Sequence, residues 1–406
     1  MTFTLLVHLS QFGPFHIARL NDAANTLKPL GIKVVGMEIT SQIEMYPWDV
    51  EEQPTAFERC VALPGSTFEY ASPLEMWRGV KSVLDKVNPD AVAINGYSMA
   101  DAWSALVWCK LHRRIAIIMS DSKSDDSPRV ASKEWVKKMI LRQFHAALCA
   151  GLLSKSYLEQ LGMQSQKIFL GFDAVDNDYF WKKAEMARQN PSSYRSLPGL
   201  ETSDPFFLAS SRFVKSKNFD GLLSAYAEYR RRLHEANPSQ EPWRLVLLGD
   251  GAERRALEHQ VWSEGIQGVT FPGFRQIEDL PVYYGLAKVF IHPSYQDTWG
   301  LVVNEAMAAG LPVIVSKRSG CVADLVSNGH NGFIFSPEDL KTLAELMLLM
   351  SSDSVDLTAM SQASRERIED WGLPRFSQGL YGALQVGLKH RRKLIAVCGP
   401  RKRSAS

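Results

Sequence analysis

Short apolar runs alternate with stretches whose apolar residues recur at helical spacing. In the first half the runs fall at 2–9, 33–39, 58–63, 91–94, 114–119, 145–150 and 167–170. Helical periodicity fills most of the gaps, at 16–29, 73–87, 97–112 and 132–143. The second half repeats the style without repeating the sequence. Its runs lie near 206–211, 244–249, 268–271, 288–292, 312–315 and 332–335, with helices near 218–234, 253–264, 300–309 and 338–350. Strands this short and this apolar, each followed by a helix, predict parallel sheets covered on both faces. Two helices near 353–370 and 376–390 close the chain, with Pro374 between them.

The alternation lapses over KKAEMARQNPSSYRSLPGLETSD, residues 182–204, which is polar and rich in Pro, Ser and Gly. That lapse predicts a first domain over 1–190, a linker over 191–204 and a second domain over 205–373. The last stretch, 374–406, then supplies a helix crossing back to the first domain and a basic tail. Both domains are expected to be doubly wound, and such sheets bind ligands at the carboxyl ends of their strands. An interdomain cleft is therefore expected.

Composition adds bounds. The chain has 406 residues, 45% hydrophobic and 22% charged, as in ordinary globular proteins and unlike a disordered chain. No apolar run approaches the ~20 residues that a membrane span requires. The opening MTFTLLVHLS reads as a buried strand rather than a leader. Five cysteines, an odd number without metal-ligand spacing, point to a reducing compartment. Cytoplasmic placement is expected, with peripheral contact at the inner membrane face as an option. The net charge of +2 hides an asymmetry: residues 389–403 carry seven basic residues and no acid. That tail is a separate electrostatic object, either solvated or drawn to an anionic surface. Residues 132–143, SKEWVKKMILRQ, are open in the same way: a helix with one core face, or a basic amphipathic surface.

Candidate chemistry concentrates in KVFIHPSYQDTWGLVVNEAMAAGLPVIVS, residues 288–316. It reads as strand, loop, helix, strand. The loop delivers a helix N-terminus to the carboxyl edge of a sheet, where unpaired amides and the helix dipole favour an anion. Gly300, Leu301 and Val302 would face it. Asp297 and Glu305 flank the point, and carboxylates there suit neutral hydroxyls such as a ribose diol. Arg212 and Lys217 follow the strand at 206–211, on the same predicted edge, and offer a planar fork and a point charge for phosphate. Asp250, in the turn Gly249-Asp250-Gly251, either caps the next helix or lines a ligand turn. Gly273 and Phe274 end another strand and form either an ordinary loop or a ledge for a base. Asp176-Asn-Asp178 spells a metal-binding pattern but fits the approach to the linker better. No metal is expected.

These motifs together resemble the retaining group-one glycosyltransferases of the two-domain GT-B fold, most closely over 205–340. The family's acidic pair, separated by seven residues, corresponds to Asp297 and Glu305, with Asp in place of the commoner Glu. The resemblance implies Arg212 and Lys217 on the donor diphosphate and Asp297 on the donor sugar. It implies Glu305 on the ribose, Gly249–Gly251 at the glycine turn, and Gly273 and Phe274 beside the base. It also implies Gly13, in the loop after the first strand, near the donor or acceptor. Many relatives carry a His after the strand equivalent to 114–119; this chain has Asp121 there. The implied activity is metal-independent transfer of a sugar, with retention, from a nucleoside-diphosphate sugar to a saccharide or lipid-linked acceptor. No cofactor and no nucleic acid partner are implied. A nucleotide-sugar epimerase, a phosphorylase on the same fold, or a non-enzymatic binder are the rival readings.

Overall fold

The computed structural model describes residues 2–41, 48 and 55–398. The chain divides into two compact units, Met1–Ala174 with Leu373–Ser406, and Val175–Gly372.

The first unit carries strands β1 (Phe3–Leu9), β2 (Ile32–Glu38), β3 (Glu58–Val61), β4 (Ala91–Asn95), β5 (Ile115–Ser120), β6 (Ala146–Cys149) and β7 (Ile168–Leu170). They form one parallel sheet in the order β3-β2-β1-β4-β5-β6-β7. The order reverses between β1 and β4. Buried side chains alternate to its two faces. Leu6, Val35, Val92, Ile94 and Ile118 pack with the helices Pro73–Val87 and Ala100–Leu111. Leu5, Val7, Ala93 and Ile117 pack with Pro14–Leu27 and the final helix, Leu373–Cys398. That last helix inserts Phe376, Leu380, Ala383 and Leu384 into this core. Gly379 lets it lie close to the sheet, since a Cβ there would sit 2.4 Å from the Leu170 carbonyl oxygen. Pro374 falls in the helix's first turn, where a missing N–H costs nothing.

The second unit carries β8 (Phe206–Ser210), β9 (Arg244–Leu248), β10 (Val269–Gly273), β11 (Val289–His292), β12 (Val313–Ser316) and β13 (Gly332–Phe335). Their order is β10-β9-β8-β11-β12-β13, all parallel. Within the unit this is 3-2-1-4-5-6, the Rossmann arrangement, with its switch point between β8 and β11. The fold class thus agrees with the sequence.

The division differs from the expected one at two places. Asn177–Gln189 is a helix of the second unit and packs against the helix Leu280–Leu286. The stretch expected as a linker, 191–204, also belongs to that unit. Tyr283 Oη donates to the Pro198 carbonyl at 2.8 Å, Arg244 Nη1 to the Gly199 carbonyl at 3.0 Å, and Leu200 is buried. A polar segment can be laid down by backbone acceptors as firmly as by apolar side chains, and composition does not record that. Asp176 caps the helix Asn177–Gln189, accepting from the Tyr179 amide at 3.0 Å, so its carboxylate has a structural task.

Candidate active site at the switch point of the second unit

Because β8 and β11 are neighbours, the loops at their carboxyl ends meet. The loop after β8 turns through Lys215–Lys217 and ends at Asn218, in the left-handed region at φ 55°. Asn218 is fully buried. Its Nδ2 donates to the carbonyls of Pro293 and Pro337, each at 3.1 Å. The amides of Tyr295 and Gln296 in turn donate to the Ser216 carbonyl, at 2.9 and 3.3 Å. These bonds lock the loop after β11 onto the loop after β8.

The lock brings Lys217 to Asp297, Nζ to Oδ2 at 2.5 Å, with side chains only 12% and 15% exposed. His292, the last residue of β11, lies 2.9 Å from the same oxygen through Nε2. A carboxylate can only accept, so that ring nitrogen carries the proton. Ser294 Oγ is 3.2 Å from it. Burial pushes the Asp297 carboxyl up, but the His292 hydrogen bond and the Lys217 charge outweigh that and hold it well below the usual range. Burial pulls His292 down, only partly offset by Asp297, so the ring is neutral at physiological pH.

Gly300 starts the helix Leu301–Ala308 at φ 98°, and a Cβ there would meet the His292 ring at 3.3 Å. Handedness and crowding both require glycine. The first-turn amides of Leu301 and Val302, which no intrahelical carbonyl reaches, follow at once at half-buried positions. Glu305 lies one turn further in, 3% exposed. Tyr284 Oη donates to its Oε2 at 2.8 Å, leaving Oε1 for a further hydrogen bond. Burial pushes this carboxyl up to about 8, with the Tyr284 bond pulling weakly the other way.

The turn 249–251 is adjacent, for a reason the sequence did not disclose. A Cβ on Gly249, at φ 129°, would stand 1.8 Å from the Ser211 carbonyl oxygen. The Phe213 amide donates to the Asp250 carbonyl at 2.8 Å. Close passage of the β8 loop thus explains this glycine. Asp250 does not cap: the helix starts at Arg254, and the Asp250 carboxylate accepts from the Gly251 amide at 2.7 Å and from Arg254 at 3.2 Å. Gly273, at φ 88°, accepts from the Gly249 amide at 3.0 Å, so both belong to one edge with half-buried Phe274 beside them. Arg212 is half-buried at the end of β8.

Gly13 and Asp121 belong to the first unit. Gly13, extended at φ −84°, caps the helix Pro14–Leu27, and its amide donates to His16 Nδ1 at 3.2 Å. Burial drives His16 down to about 3. Asp121 follows β5, and its carbonyl accepts from Ser154 Oγ at 2.8 Å. Two residues on, Lys123 is buried and pairs with Asp125 and Asp126 at 2.7 and 3.2 Å.

His292, Asn218 and Tyr284 escaped the sequence reading as site residues. A signal existed only for His292, which ends a strand five residues before Asp297.

Two Rossmann-like units of this topology define a GT-B protein, and solved structures agree. HepE of Anabaena, solved with UDP and glucose, superposes with a TM-score of 0.71 at 16% identity, covering 94% of this chain and 99% of that one. Sucrose-phosphate synthase from Thermosynechococcus elongatus gives 0.71 at 22% identity, covering 97% and 100%. The family model described as glycosyl transferases group 1 matches residues 193–367, a span containing Arg212, Lys217, Asp297 and Glu305. The likeness to that family lies within the second unit. Sulfoquinovosyl transferase SQD2 of Arabidopsis thaliana is 26% identical over 310 residues, 73% of this chain and 55% of that protein. The chain thus spans about half the length of the curated relatives it matches.

Proposed function

We propose that the protein transfers a sugar from a nucleoside-diphosphate donor to an acceptor hydroxyl, with retention at the anomeric carbon. The observation that carries this is the meeting of Lys217, Asp297 and a helix N-terminus at one switch point, within the region the family model matches. In transfer the bond from the anomeric carbon to phosphate oxygen breaks and a bond to the acceptor oxygen forms. The acceptor proton leaves with the diphosphate. The difficulty is charge on that leaving group. Lys217, Arg212 and the amides of Leu301 and Val302 would absorb it. Without donor, Asp297 holds the Lys217 ammonium inside the pocket, so a diphosphate meets a cation already in place. Asp297, fixed by His292, would then take donor-sugar hydroxyls, and Glu305 the ribose through Oε1. Protein cations in this role make a divalent ion dispensable, and EDTA is expected to leave the rate unchanged. The acceptor is a saccharide or a lipid-linked hydroxyl.

The test is thermal unfolding with UDP-, GDP- and ADP-sugars, followed by product analysis with acceptor. UDP is the first candidate, since the HepE structure holds it. A bound donor at a hundred times its Kd adds about 2.7 kcal/mol of stability, enough to read as a shift in Tm. No shift with any donor, or a donor isomerised without an acceptor, overturns the proposal.

A further inference from the structure

A surface helix ordinarily turns its apolar stripe inward. The helix Ala131–Leu141 of the first unit does the reverse over most of its length. Trp135 is 64% exposed, Val136 47% and Met139 40%. At 3.6 residues per turn these three share one outward stripe. Only its last residues, Ile140 and Leu141, reach the core, and before them the inward side is charged. Tyr157, buried on a neighbouring helix, donates to Glu134 Oε2 at 2.9 Å. It accepts from Lys137 at 2.8 Å and from Arg129 at 2.8 Å. The one acid of the helix is thereby neutralised within the fold. Lys133, Lys138 and Arg142 flank the apolar stripe, and among the described residues none of them is ion-paired.

We infer that this face docks the protein on an anionic lipid bilayer. An apolar stripe with a Trp, bordered by cations with no internal counter-charge, matches the headgroup boundary in both chemistry and sign. Long cationic side chains reach anionic headgroups while the Trp135 ring sits at the interface. A second copy of the chain fits worse. A two-fold contact through this stripe would press the flanking cations of one copy toward those of the other. The inference goes beyond the transfer reaction, and vesicle binding is read without donor or acceptor, so either can fail alone.

The experiment is co-flotation of the full chain with vesicles of phosphatidylglycerol and phosphatidylcholine in equal parts, against vesicles of phosphatidylcholine alone. The chain is expected to float with the first and not the second. Trp135→Glu with Met139→Glu should weaken binding at least about tenfold, since it removes apolar contact and adds like charge to the lipid. Lys138→Gln and Arg142→Gln should each weaken it about fivefold. All four positions are exposed, so the Tm of each variant should match that of the unaltered chain, and the vesicle result stands on folded protein. Equal flotation with both vesicles, none with either, or undiminished binding by the helix variants overturns the inference. So does a dimer in sedimentation velocity that the same substitutions abolish.

Discussion

Lys217 and Asp297 are the pair on which the proposed chemistry depends, and single substitutions separate their tasks. Lys217→Ala should slow turnover by on the order of 10²–10³, as loss of one transition-state donor does. Arg212→Ala should act in the same direction. Single-turnover rates at saturating donor would show it, and normal rates in both variants would contradict the charge-absorbing role. Glu305 makes a pH prediction. Its folded-state value is about 8, raised from an ordinary 4.5 by burial. When a carboxyl is raised, the folded state keeps its proton after the unfolded state has lost it. Stability therefore falls as pH climbs through that window and levels off above it. Glu305→Gln removes the titrating group. Its Tm should gain on that of the unaltered chain steadily from about pH 5 to about pH 8 and hold constant beyond. A pH-independent difference would mean that the carboxyl titrates normally.

At the scale of elements, the site is a set of loops tied to one another. Gly249 shows how tightly. Alanine there would require a positive φ and push a methyl into the Ser211 carbonyl, so Gly249→Ala should cost on the order of 2–4 kcal/mol. Gly13→Ala offers the contrast, because its φ of −84° is open to any residue and the nearest atom, at 3.1 Å, belongs to the Trp48 side chain. It should cost about 1 kcal/mol or less. Urea midpoints for the two variants would rank them. At this scale much was legible in the sequence. The apolar runs at 206–211 and 288–292 are β8 and β11, and the helix after Gly300 begins where the Gly-Leu step suggested. Short helices at Leu152–Gln160 and Leu280–Leu286 were not legible. The first has little apolar periodicity, and the second is buried nearly all round. The helix Asn177–Gln189 was half lost in a polar stretch.

For the whole molecule, the last helix matters most. It is distant in sequence from the core it completes, since Phe376, Leu380 and Leu384 pack with strands near the chain's start. Ending the chain at Gly372 should strip the first unit of that face. Buried apolar side chains are each worth about 1.5–3 kcal/mol, so the loss exceeds what a domain has to spare. The second unit, Val175–Gly372, keeps its own core, so the proposed nucleotide binding should persist. Limited proteolysis and calorimetry of the shortened chain are expected to show one cooperative unfolding unit and one digested region. The tail residues Arg401, Lys402 and Arg403 lie outside the described residues.

The sequence by itself determined the alternation of strand and helix, the parallel sheets, and most of the residues at the carboxyl edge of the second sheet. Those follow from local periodicity and from turn residues, which each short segment carries within itself. Only the tertiary structure decided that Lys217 and Asp297 touch, that His292 and Tyr284 hold the two carboxyls, and that Gly249 serves a backbone crossing. It also decided that residues 191–204 are fastened down and that Trp135 faces outward. Most of these depend on partners far along the chain, and their separation is set by strand order. Strand order is a property of the packed sheet, and no window of sequence contains it.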